Sequence, residues 1–363
     1  MIQERKVIGL KQYVVKLEDT IHKVSFSHNV SVKDILDFNP HLQDGRAYIY
    51  PGEQLLIPNS YHGKFKEKQG ECVKEFSFGD VKAYIDKWRG HRLLDASVIG
   101  KSVLGYPLYL LKIGNGPKEV FYSGGWHANE WMTSKFLCDW IDVVLDNYDK
   151  NELFYGDNLK SIFDKVTLYV VPMVNPDGIS LVQQGNYPNH PYYHTINRIN
   201  KGAPSFDHWS ANIRGVDLNH QWPAGWKQEA DESPQKPWPR HYSGTSPLTE
   251  PEVLAIYHLT LKHHFSHVLA FHSQGQVIYW GYRNMEPKIS KEMVDRLSLR
   301  SSYVPVRTAD SDGGYKDWFI QETGRPGFTI EVGVGTNPLP FRAYGEIWAN
   351  NVELALEGLK ISI

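Results

Sequence analysis

The run EVFYSGGWHANEWMTSKF, Glu119 to Phe136, decides how this sequence is read. An apolar stretch ends in Gly124-Gly125, and His127 and Glu130 follow three residues apart. The apolar residues argue for a buried strand, and the spacing after them argues for a helix. On one turn of helix, positions i and i+3 lie on the same side, so His127 and Glu130 are expected to face one metal ion. The pair is weak by itself, because 16 histidines yield about one such coincidence by accident.

A third ligand strengthens it. Catalytic zinc commonly takes two His and one carboxylate and leaves a position open for water. His272 ends the apolar run HVLAFHSQG, at a strand terminus of the kind that faces a cleft. Its neighbours His258, His263, His264 and His267 belong to a helix or its exit and read as solvated surface. Hydrolysis also needs a base that takes the proton of water and delivers it to the leaving amine. Glu331, alone in the apolar strand PGFTIEVGVG, is a candidate, since a lone buried acid is costly unless paired or functional.

The rest of the chain divides into two units. From residue 72 to 363, the strand-like runs LYLLKIG, EVFYSGG, VTLYVVPMV, HVLAFHSQG and GFTIEVGVG alternate with helical segments. Those segments are GDVKAYIDKWRGH, SKFLCDWIDVVLDNY and TEPEVLAIYHLTLKHHF, and the alternation predicts an α/β domain on a largely buried sheet. Residues 12–58 read as a small βααβ unit, with Asp19 or Thr20 capping one helix and Ser31 the next. Residues 59–71, NSYHGKFKEKQGE, are polar and Lys/Glu-rich and read as a linker.

Composition excludes several classes. With 39 basic and 41 acidic residues, no basic field invites nucleic acid. Cys72 and Cys138 are too few for a disulfide framework and read as free thiols. No apolar run is long enough for a membrane span, and the N-terminus MIQERKVIGLKQYVV has no signal-peptide core. A cytoplasmic location is therefore expected, with cell-wall association on release.

Residues 12–58 resemble a LysM module through YVVKLEDTI, NVSVKDILDFNP and IYPGEQLLIP. That family binds N-acetylglucosamine-containing glycans such as peptidoglycan and chitin. The resemblance implies glycan contacts at Asp19, Thr20 and Asn39, with His22 less typical of the family at its position. The chain from about Ser97 to Glu331 resembles the M14 zinc carboxypeptidase family. The landmarks are VIGKSVLGYPLYLLKIG, HANE, VPMVNPDG, RGVDLN, TEPE, HSQG and FTIE, in that order. This resemblance implies a mixed-sheet peptidase fold, one Zn2+ held by His127, Glu130 and His272, and Glu331 as general base.

The sequence departs from that family at telling positions. In GVDLNHQW, Asn219 is kept, but His220 stands where an arginine usually clamps the substrate's terminal carboxylate. A neutral imidazole cannot supply that fork. Ala309 stands where a tyrosine is usual, and Ser210 follows Trp209 where an arginine usually polarises the scissile carbonyl. Lys201, ahead of Arg198, is the candidate replacement for that last cation. Arg307, Asp310 and Asp312 are candidates to read the carboxylate and amine of a diaminopimelate side chain. With the LysM module, these departures resemble the bacterial γ-D-glutamyl-L-diamino acid peptidases, which cut peptidoglycan stem peptides between D-Glu and diaminopimelate. The expected function is zinc-dependent hydrolysis of that amide, with stem peptides and N-acetylglucosamine-containing glycan as partners. Rival readings are a metallocarboxypeptidase of unusual specificity and a non-catalytic peptidoglycan-binding protein.

Overall fold

The structure, a computed structural model, describes residues 9–17, 19–28, 30, 32–42, 48–58, 75–309 and 311–361. Ser31, Cys72, Asp310, the expected linker and the side chain of His22 lie outside the described residues.

Eight strands build one large mixed sheet. Its centre is four parallel strands, in the order Gly327–Glu331, His267–His272, Lys118–Ser123 and Val166–Val171. Pro107–Ile113 and Leu94–Lys101 extend one side antiparallel. Val277–Tyr279 runs antiparallel to Gly327–Glu331 on the other side, and Val304–Val306 completes that edge. The parallel centre is buried on both faces, which explains why its strands read as unbroken apolar runs.

Because strand side chains alternate, each run feeds two cores. Val120, Tyr122, Leu168, Val170, Leu269 and Phe271 point to one face, beneath the helices Phe78–Trp88, Met132–Lys150, Ile289–Ser301 and Tyr344–Lys360. Phe121, Tyr169, Val171, Val268 and Ala270 point to the other, where Pro251–Lys262 and Tyr315–Thr323 cover them. His263 and His267 are not solvated surface: His263 Nδ1 lies 3.0 Å from Glu119 Oε1, and His267 opens a central strand and is fully buried. The strand begins at His267, where the run HVLAFHSQG starts, and the parallel register with Val120 places that imidazole inside the sheet and not at a helix exit.

The turn after strand Lys118–Ser123 also differs from expectation. The helix starts only at Met132, so His127 and Glu130 sit in a turn closed by Glu130 N–H on the His127 carbonyl at 3.1 Å. Gly125, at φ +61°, bends the chain first, and a Cβ there would meet Ser134 Oγ at 2.4 Å and Met173 Cα at 3.2 Å. Thr133 Oγ1 then holds the turn, accepting from Gly125 N–H and donating to the Glu130 carbonyl, both at 2.8 Å.

Other landmarks act as clamps. Asp177 of NPDG accepts from Ser102 Oγ at 2.6 Å and Leu104 N–H at 2.9 Å, and Glu252 of TEPE accepts from Val103 N–H at 3.1 Å. Burial pushes these acids up to about 6 and about 8, so Glu252 holds its proton at neutral pH.

The small unit has the expected βααβ order, Leu10–Val14, Ile21–His28, Val32–Phe38 and Gln54–Pro58, around Val15, Val24, Ile35, Leu55 and Ile57. It is docked on the larger unit. Tyr48 packs against a smaller apolar cluster of the larger unit that includes Leu181, Ile196, Phe206 and Trp209, with its ring centroid 5.9 Å from that of Phe206 and its hydroxyl accepting from Phe206 N–H at 3.1 Å. Gly185, at φ +71°, leaves room for that ring: a Cβ there would fall 2.4 Å from it. Lys23 Nζ donates to Ser77 Oγ at 3.0 Å and lies 3.6 Å from Asp80.

Glu75 sits in this junction, and burial pushes it up to about 7, against the lowering effects of the Thr20 hydroxyl and Lys23 and with a small push from Asp80. An acid whose pKa is raised by docking favours the docked state while it keeps its proton. Docking should therefore be tightest near pH 4.5 and weaken as pH rises towards 7. The rate of proteolytic release of the N-terminal unit is expected to increase across that window, and Glu75→Gln should flatten the dependence.

Candidate active site

Three strand ends converge on one edge of the sheet. Glu331 pairs directly with His272 in the parallel register, and the turn holding His127 and Glu130 follows the neighbouring strand. His127 Nδ1 lies 2.9 Å from Glu130 Oε1, and His272 Nδ1 lies 3.1 Å from Glu130 Oε2. The two Nδ1 atoms are 3.3 Å apart. Two imidazole nitrogens and a carboxylate facing one point fit a cation: zinc bonds of about 2.0–2.1 Å in a tetrahedron separate the ligand atoms by about 3.3 Å. Among the described residues, these three side chains form a group able to hold one metal ion.

Each ligand is held from behind. His127 Nε2 lies 3.0 Å from Asp217 Oδ1, which fixes the ring so that Nδ1 faces Glu130. Burial would lower the pKa of His127, but the carboxylates of Glu130 and Asp217 outweigh it and hold it well above the usual range. Glu130 accepts from Ser273 N–H at 3.1 Å and from Asn337 Nδ2 at 3.3 Å. Asn337 in turn donates to the Ser273 carbonyl at 2.7 Å. For Glu331, burial first and the charge of Glu130 second raise the pKa well above the usual range, while His127 opposes them. A cation at the centre would favour its ionised form.

Asp217, His220 and His241 form a second close group. Its carboxylate is already engaged by His127 and Asn219 N–H on Oδ1 and by His241 N–H on Oδ2. Asp217 thus acts as the anchor of His127. Neither it nor Asn337 was singled out from the sequence. The signal for Asp217 was present in RGVDLN, as an acid between apolar residues; Asn337 gives none, because a loop brings it in.

The expected substrate residues fall in different places. Asn219 Oδ1 accepts from Tyr315 N–H at 3.1 Å, and His220 Nδ1 lies 3.2 Å from Glu229 Oε1. Arg307 Nε donates to Glu286 at 2.7 Å, and Asp312 accepts from Tyr282 Oη and Arg283, each at 2.7 Å. Lys201 lies with its ammonium 4.4 Å from the Trp238 ring centroid, and Arg198 is exposed at the end of the helix Tyr193–Ile199. In the N-terminal unit, Asp19 accepts from Tyr13 Oη at 2.5 Å and Lys16 N–H at 2.7 Å, and Thr20 Oγ1 accepts from Lys23 N–H at 3.2 Å. Asn39 is buried, bonded to the Ile35 and Leu56 carbonyls and to Leu56 N–H at 2.7–2.8 Å.

The zinc carboxypeptidase profile matches residues 82–353, and the LysM domain profile matches residues 13–58. The chain belongs to the zinc carboxypeptidase family. This zinc carboxypeptidase homologue is 44% identical over 266 residues to gamma-D-glutamyl-L-diamino acid endopeptidase 1 of Lysinibacillus sphaericus, across 73% of this chain and 67% of that protein. It is 36% identical over 311 residues to the protein YqgT of Bacillus subtilis, across 85% and 81% of the two chains. Its fold matches bovine thrombin-activatable fibrinolysis inhibitor with a TM-score of 0.61 at 19% identity, over 79% of this chain and 97% of that one. The chain is a zinc peptidase with a LysM module, and no described helix is long and apolar enough to cross a membrane.

Replacing Asp217 by Asn should leave the fold intact and weaken zinc binding by about 10–100-fold, the usual cost of losing a partner behind a metal-ligating imidazole. Competition against a chromophoric chelator measures this, with circular dichroism as the control for folding.

Proposed function

We propose that this zinc peptidase hydrolyses the amide between the γ-carboxyl of D-Glu and diaminopimelate in peptidoglycan stem peptides, and that its LysM module binds the N-acetylglucosamine-containing glycan. The carrying observation is the convergence of His127, Glu130 and His272 beside Glu331. In this reading the three side chains would hold one Zn2+, which would supply Lewis-acid polarisation of the scissile carbonyl and a lowered pKa for water. Glu331 accepts the proton of the attacking water and returns it to the departing amine. The activity named for the Lysinibacillus sphaericus relative supports the choice of bond.

The position of His220 argues against a free C-terminal carboxylate as the main handle. Its ring lies 3.2 Å from the Glu229 carboxylate, an acceptor that repels an arriving anion. Arg307 and Asp312, each carrying a partner of opposite charge, are the proposed readers of the diaminopimelate ammonium and carboxylate by partner exchange. Lys201 remains the proposed oxyanion cation only if it leaves the Trp238 ring during turnover.

The test uses L-Ala-γ-D-Glu-meso-diaminopimelate, with and without a C-terminal D-Ala, and product masses. Release of L-Ala-D-Glu from both is expected, and chelation should abolish it. Glu331→Gln should lower kcat by about 100-fold or more while zinc stays bound, as loss of a general base does. Removal of the terminal D-Ala alone would instead make the enzyme a carboxypeptidase.

A further inference from the structure

We propose that the cleft between the LysM module and the peptidase domain is a composite sugar site, which holds an N-acetylated sugar of the fragment whose stem peptide reaches the metal centre. The second half of that statement rests on the endopeptidase reading above; the sugar site does not. The cleft has a volume of about 550 Å3 and is lined by His41, Tyr50 and Glu53 of the module and by Asn186, Tyr193 and Asn197 of the peptidase domain. Neither unit builds it alone.

Its chemistry suits a neutral sugar. Tyr50 and Tyr193 supply apolar ring faces with polar tips. Glu53 is fixed as an acceptor, with Oε2 taking Tyr50 N–H at 2.9 Å and Oε1 lying 3.1 Å from His41 Nε2. Asn186 Nδ2 donates to the Tyr193 carbonyl at 2.9 Å and to Asn197 Oδ1 at 2.8 Å. Its own Oδ1 is buried without a partner, in a residue only 8% exposed. An unpaired buried acceptor is costly, and a shift of the Asn186 amide towards the cleft would let a ligand hydroxyl or N-acetyl N–H satisfy it. Among the described lining residues there is no Lys or Arg.

The cleft also lies within reach of the metal centre. Its wall at Ala203–Phe206 runs on to Asp207, whose carbonyl accepts from Asn129 Nδ2 at 2.9 Å, and to Ser210, whose carbonyl accepts from Ala128 N–H at 3.0 Å. At about 3.3–3.6 Å per extended residue, at most about 14 Å of chain separates Phe206 from Ser210. The L-Ala and D-Glu between a sugar and the scissile bond span about 7 Å on the same scale, and the two extra methylenes of the γ-linkage and the sugar's lactyl ether lengthen that reach. In this proposal one fragment bridges the two places, and binding of its sugar raises the local concentration of its peptide.

The experiment titrates the full chain with chitotetraose by calorimetry. Binding is expected, and Tyr193→Ala and Asn197→Ala, both on the peptidase domain, should each weaken it by about tenfold, about 1.4 kcal/mol. Absence of binding, or unchanged affinity in whichever variants fold, would overturn the composite site; the latter result would assign sugar binding to the module alone. Displacement of chitotetraose by sugar-free stem peptide would overturn it too, by making the cleft a peptide site. A second readout is the ratio of kcat/KM on disaccharide-linked over free stem peptide, expected to exceed one and to fall in both variants. A ratio of one in the unmodified enzyme would refute the link to the metal centre. If the zinc-loaded enzyme cuts neither substrate, the endopeptidase reading fails, and calorimetry still decides the cleft.

Discussion

The direct pairing of Glu331 with His272 across two parallel strands is the constraint on which the site depends. Parallel strands in register bring their C-terminal ends to one edge, and that edge is where an open α/β sheet leaves a crevice. One strand delivers a metal-binding imidazole there and its neighbour delivers a carboxylate, on backbones that cannot slide without breaking the ladder. A slip of one residue would turn either side chain to the opposite face of the sheet. Burial of the sheet on both faces makes such a slip expensive, because Phe271 and Ile330, next to the two functional residues, sit in the large core.

The remaining ligands arrive on less regular backbone and need more support. His127 and Glu130 lie in a turn, where no ladder fixes them, and the structure compensates with Thr133, Asn337, Ser273 and Asp217. Asp217 has the widest effect, since one carboxylate holds the ring of His127 and the backbone of Asn219 and His241. Metal geometry, the expected substrate segment and the loop carrying His241 are thereby coupled. A carboxylate engaged in this way supports the neighbouring imidazole from behind.

Docking of the module rests on a different kind of fit. Tyr48 enters a core that belongs to the peptidase domain, over a glycine that a side chain would block. The polar residues first associated with glycan, Asp19, Thr20 and Asn39, stabilise the turns and strand edges of the module itself. Side chains available to a ligand are found where the two units meet, which a reading of either unit alone does not reveal.

By itself the sequence determined the main elements and pointed to the chemistry: which runs are buried strands, which are helices, and that His127, Glu130, His272 and Glu331 are the candidate reactive groups. Those features are local, since periodicity, glycine pairs and a lone acid in an apolar strand are written within a few residues of each other. Tertiary structure decided where the helix after Gly125 begins, because that depends on Ser134 and Met173 leaving no room for a Cβ. It also decided that His267 is interior and His263 half-buried against Glu119, that Asp217 and Asn337 stand behind the candidate metal ligands, and that Lys201 rests on Trp238. Each of these depends on residues far apart in the chain. Asp217 is 90 positions from His127, and Asn337 is 207 from Glu130, so only the folded sheet brings them together.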